Sequence, residues 1–91
     1  MLVADVVSGE IRRFLTGPKG CELAGLTATP DGRNLFINVQ HPGEVSGGRA
    51  NATQAMAGSG WPASQFAELT GGRPRSATVV IRRQDGGVVG A

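Results

Sequence analysis

A carboxylate, an imidazole and a second carboxylate stand at Glu22, His41 and Glu44, and Asn38 and Gln40 add two amides. Carboxylate oxygens are what hard cations such as calcium take as ligands. An imidazole titrates near neutral pH, so it can bind a metal, hold a phosphate oxygen or pass a proton. Cys21 adds a thiol, and thiolates suit softer metals such as iron. Each group also has a plainer reading. An exposed carboxylate is ordinarily just solvated, a lone His before a Pro packs a turn, and a small free Cys is commonly buried without a role.

Two strands joined by a tight turn must position these groups. Thr29-Pro30-Asp31-Gly32-Arg33 places Pro where φ is preset and Gly where φ > 0 is wanted. Leu35, Ile37 and Val39 alternate with Phe36, Asn38 and Gln40, the period of a strand. The strand stops at His41-Pro42-Gly43, where Pro removes a donor and Gly frees the backbone. Antiparallel pairing about the turn brings Glu22 near the level of Gln40 and His41, so the polar groups gather at one end of the hairpin.

The rest of the chain continues the pattern. Residues 2–7 and 10–15 read as a hairpin with Ser8-Gly9 as a two-residue loop. Residues 22–28 and 34–40 make the second hairpin. Residues 77–83 and 87–90 flank the turn signal Asp85-Gly86-Gly87. Between them, 42–60 holds Gly, Ser, Ala, Asn, Thr and Gln with hardly an apolar side chain, which predicts a mobile insertion. Trp61 to Phe66 is expected to form a helical turn that docks Trp61 and Phe66 on the sheet. The fold class is therefore all-β: an antiparallel meander of about six strands, the unit of a β-propeller blade. Residues 1–17 would be the outer hairpin of a preceding blade. Residues 18–91 would be one blade, with a flexible insertion at about 43–60.

Composition narrows the function. At 91 residues, with one Trp, three Phe and no Tyr, the core must be aliphatic and thin. Gly and Pro together supply 20 residues, which points away from a well-packed monomer. A net charge of +2 without an aromatic platform gives no nucleic-acid footprint. Lacking an 18-residue apolar run, the chain gives no sign of a membrane span, and Met1-Leu2-Val3-Ala4-Asp5 does not open like a signal peptide. Met1 instead opens directly on strand-like sequence, as though a start lay inside a longer protein. One cysteine allows no internal disulfide and no four-Cys zinc site. No Ser-His-Asp order, phosphate-cradling glycine loop or metal-spaced His pair is present.

The run from Gly17-Pro18-Lys19-Gly20-Cys21-Glu22 through Thr29-Pro30-Asp31-Gly32-Arg33 to Asn38-Val39-Gln40-His41-Pro42-Gly43-Glu44 closely resembles the C-terminal part of bacterial PhoX-type alkaline phosphatases and their uncharacterised relatives. Arg13-Phe14-Leu15 and the ending Pro74 to Arg83 with Asp85-Gly86-Gly87 fit the same region. The resemblance implies a fragment of an exported, periplasmic or secreted six-bladed propeller that hydrolyses phosphomonoesters with calcium and iron. It implies Glu22 and Glu44 as metal ligands and His41 as a phosphate contact, with the remaining blades as partners. No metal and no activity are expected for the isolated chain. Two other functions compete: a blade of a non-catalytic propeller that serves as a binding scaffold, and a β fragment that associates with itself. The last follows if excision exposes the apolar face Leu35, Ile37, Val39, Val79 and Ile81, which then favours a homo-oligomer.

Overall fold

A computed structural model of the chain describes residues 1–44, 59–63, 65 and 74–90. The described residues form five strands: β1 (Leu2–Ala4), β2 (Ile11–Arg13), β3 (Glu22–Ala28), β4 (Leu35–Gln40) and β5 (Ala77–Ile81). β1 and β2 make a two-stranded ribbon, and β3-β4-β5 make a three-stranded sheet, all antiparallel. The all-β antiparallel meander is as expected. Most of the expected insertion at 43–60, and Phe66, lie outside the described residues.

The central strand β4 sets the core. Leu35 pairs with Ile81, Ile37 with Val79 and Val39 with Ala77, so these side chains share one face. Ile37 and Val39 are each 3% exposed. This corrects one expectation in part: of the apolar face, Ile37 and Val39 are covered within the chain, while Leu35, Val79 and Ile81 are half-buried. Leu15, Trp61 and Pro62 line a groove over it together with Leu23, Val39 and Val79. A turn bonding Gln65 N–H to the Pro62 carbonyl, and Arg75 N–H bonded to the Trp61 carbonyl, hold that cover in place.

Side chains that compete for backbone groups shorten the strands. The Asp5 carboxylate accepts the Val7 and Ser8 N–H groups at 2.8 Å each. This local turn ends β1 at Ala4, so the hairpin loop spans 5–10 rather than the expected two residues. Phe14 and Leu15 both donate to the Met1 carbonyl. The expected last strand at 87–90 does not form. The Asp85 turn closes through Gly86 N–H to the Arg83 carbonyl, but Val89 then donates to the Gly32 carbonyl at 2.9 Å. The returning segment thus meets the Thr29–Arg33 turn instead of pairing with β5.

Candidate functional site

The cluster at the far end of the hairpin is built by one irregularity. Thr27 pairs with Phe36 and Ala24 with Asn38, so β3 carries one more residue than β4 between those pairs. Gly25, at φ 69°, supplies the left-handed backbone that this bulge needs. A Cβ there would stand 2.6 Å from the Asn38 amide nitrogen. Beyond the bulge Leu23 pairs with Val39 and Glu22 with Gln40. Glu22 therefore shares the outer face with Gln40 while Leu23 joins the core face.

β4 ends where His41 turns into a left-handed conformation, φ 37°, rare for a residue with a Cβ. His41 N–H donates to the Ser76 hydroxyl at 3.1 Å, and the buried Pro42 and Gly43 follow. Gly43 N–H reaches the Lys19 carbonyl at 2.8 Å, and Glu44 N–H the His41 carbonyl at 3.2 Å. The loop before β3 must approach closely: a Cβ on Gly20 would collide with the Glu44 carbonyl oxygen.

The three singled-out side chains converge in this frame. His41 Nδ1 lies 2.8 Å from Glu44 Oε2 and 3.2 Å from the Gly20 carbonyl oxygen, and both are acceptors, so Nδ1 carries a hydrogen. His41 Nε2 lies 3.5 Å from Glu22 Oε2. An imidazole with a carboxylate at each end is best satisfied doubly protonated. Desolvation, the largest single influence, pushes its pKa down. The Gly20 carbonyl, the Glu44 charge and the Glu22 acceptor together outweigh it, and the pKa is raised above 6.5. All three side chains remain partly exposed, at 44% for His41, 62% for Glu22 and 43% for Glu44, so solvent screens these attractions.

The other candidates separate from the cluster. Asn38 Oδ1 accepts from the Thr78 hydroxyl at 2.7 Å across β4 and β5, so it ties the two strands together. Cys21 is a half-buried free thiol, and a Cβ on Gly17 would collide with its sulfur. Its sulfur thus packs against the preceding loop. Ser76 and the Gly20 carbonyl were not anticipated. The Ser76 position is legible only once the β4–β5 register is known, and a carbonyl leaves no trace in the side-chain sequence.

Oxygen donors at one rim of the hairpin fit a hard cation as a partial ligand set. No three His, Cys, Asp or Glu among the described residues are arranged to hold a metal by themselves. The class is thus an all-β antiparallel segment bearing an acidic, imidazole-bridged rim. Residues 1–43 match the family described as alkaline phosphatase PhoX. The structure of Pseudomonas fluorescens PhoX in complex with vanadate, a transition state analogue, aligns with 99% of this chain at 43% identity and a TM-score of 0.73. A search of curated proteins found no significant match. These findings mark the chain as a PhoX-type alkaline phosphatase fragment, and it spans 13% of that Pseudomonas chain.

Proposed function

We propose that this chain forms part of a metal-dependent phosphomonoesterase and supplies one rim of its catalytic mouth. The observation that carries the reading is the convergence of Glu22, His41 and Glu44 at one end of the β3–β4 hairpin, in a chain 43% identical to a vanadate-bound PhoX. Residues 1–17 serve as the outer hairpin of one propeller blade and 18–91 as the next blade, with the rest of the ring as partner. On this reading the whole protein is exported, periplasmic or secreted.

In that role Glu22 and Glu44 present carboxylate oxygens to calcium, which takes six to eight oxygens, so most must come from elsewhere. When bound, such a cation would neutralise charge on the transferring phosphoryl group. His41, protonated between its two carboxylates, holds both side chains at the rim and offers a cationic N–H edge to a phosphate oxygen. Imidazole and carboxylates, as at His41, Glu22 and Glu44, are donor types that iron also accepts, whereas the Cys21 thiol packs its sulfur beside Gly17.

The chain alone is expected to be inactive, because this chemistry needs ligands from several separate elements. Release of p-nitrophenol from its phosphate ester, with calcium and iron added, checks this. Turnover no greater than that of a Glu22→Ala control is the expected result. Turnover clearly above that control would contradict it.

A further inference from the structure

The β4–β5 ladder ends at the Val39–Ala77 pair. Carried on, its register would set Gln40 beside Ser76 and His41 beside Arg75. At that point the two backbones part. Arg75 N–H turns to the Trp61 carbonyl at 3.1 Å. His41 N–H bonds a side chain instead, the Ser76 hydroxyl, also at 3.1 Å. Ala77 lies on the core face, so alternation sets Ser76 and Thr78 on the outer face. Both lend hydroxyls to β4 and its end: Thr78 donates to Asn38 Oδ1 at 2.7 Å, and Ser76 accepts from His41.

The Ser76 bond holds a backbone that local preference opposes. His41 has φ 37°, costly for a residue with a Cβ. Pro42 follows it, and the residue before a proline prefers extended backbone. The His41 carbonyl is held by Glu44 N–H, only three residues on. Among the described residues, the bond from Ser76 is the one that ties the His41 backbone to the neighbouring strand. The backbone sets the direction of the Cα–Cβ bond. From it the ring reaches Glu44 Oε2 at 2.8 Å and Glu22 Oε2 at 3.5 Å.

We propose that Ser76 is a positioning residue of the phosphatase rim: its hydroxyl locks the left-handed backbone of His41 and so keeps the imidazole between Glu22 and Glu44. The inference rests on the reading of this rim as part of a catalytic mouth. Among the described residues Ser76 bonds neither carboxylate, so it acts through His41. Without the hydroxyl, the exposed N–H turns to water, the backbone relaxes toward the extended form and the ring leaves its two carboxylates.

The test uses Pseudomonas fluorescens PhoX with this chain in place of the matching 13%. Ser76 is exposed and borders an open hollow of about 300 Å³ with Asn38, Gln40 and Thr78. Ser76→Ala should therefore leave the circular dichroism unchanged. Ser76→Thr keeps the hydroxyl and has room for its added methyl. Ser76→Ala should lower kcat/KM at least about tenfold, because small misplacements at a reacting centre are costly. Ser76→Thr should stay within about twofold. In a His41→Ala background, Ser76→Ala should add nothing further. NMR of the full chain gives a readout apart from activity. The backbone carbon shifts of His41 report its left-handed conformation. They should move toward extended values in Ser76→Ala and hold in Ser76→Thr. A Ser76→Ala chimera with its full rate, where Glu22→Ala loses activity, would overturn the inference and leave the reading of the rim intact. Full rate in both would overturn that reading and the inference with it. Unmoved His41 shifts in Ser76→Ala, or an equal loss with and without His41, would overturn the positioning role on their own.

Discussion

At His41 the question is why a strand ends with a residue in a left-handed conformation. Such a backbone is costly for a side chain with a Cβ and persists where the surroundings determine it. Here the hydroxyl of Ser76, the carbonyl of Gly20 and two carboxylates fix both the backbone and the ring. The raised imidazole pKa has a definite consequence for stability. The folded value lies above 6.5, so the contribution is complete below pH 6.5 and is lost as pH rises through the folded value. NMR titration of the ring should show that raised midpoint. Glu44→Gln should move it toward 6.5, and an unchanged midpoint in that variant would contradict the pairing. Gly20 gives a second test at this scale. Its φ is 77°, and any Cβ added to it would collide with the Glu44 carbonyl oxygen. Gly20→Ala should therefore cost at least about 1 kcal/mol in urea unfolding. Gly9, also at positive φ but with open space around it, lacks that clash, and its replacement by Ala should cost less.

Among the elements, β4 decides the fold. It pairs on both sides and holds the two buried apolar residues of the described core. Ile37→Ala should cost about 2–5 kcal/mol, enough to unfold a domain this small, whereas Leu26→Ala at a 54% exposed site should be nearly neutral. Thermal unfolding followed by circular dichroism distinguishes them, and equal costs would show that the core lies elsewhere. The alternation Leu35-Ile37-Val39 and the Pro30-Asp31-Gly32 turn made this hairpin legible from sequence, because period and turn chemistry agree. The strand ends were less legible. Asp5 reads as an ordinary strand residue until its carboxylate takes two backbone N–H groups. Val88-Val89 has strand composition, yet it meets the turn at Gly32. The convergence of Glu22 with His41 was expected from pairing alone, but the Gly25 bulge sets the final register. A lone glycine inside a strand was the available sign of it.

At the scale of the whole molecule, two residues at 3% exposure among the described ones make a thin core, consistent with a segment that completes its burial against something else. Membership of the PhoX type was legible because Asn38 to Glu44 and the flanking turns form a long, specific run. The docking of Trp61 on the sheet was legible too; that Leu15 and Pro62 join it beside Val39 and Val79 was not, because they lie far apart along the chain. The most direct test of the account replaces the corresponding 13% of Pseudomonas fluorescens PhoX with this chain, then measures phosphomonoesterase activity and bound metal. The folded chimera should hydrolyse p-nitrophenyl phosphate, and Glu22→Ala or Glu44→Ala within it should lower kcat/KM at least about tenfold, a loss of about 1.4 kcal/mol in transition-state stabilisation, with less calcium retained. A folded chimera that keeps its full rate and its metal without either carboxylate would contradict the assignment of this rim to the catalytic mouth.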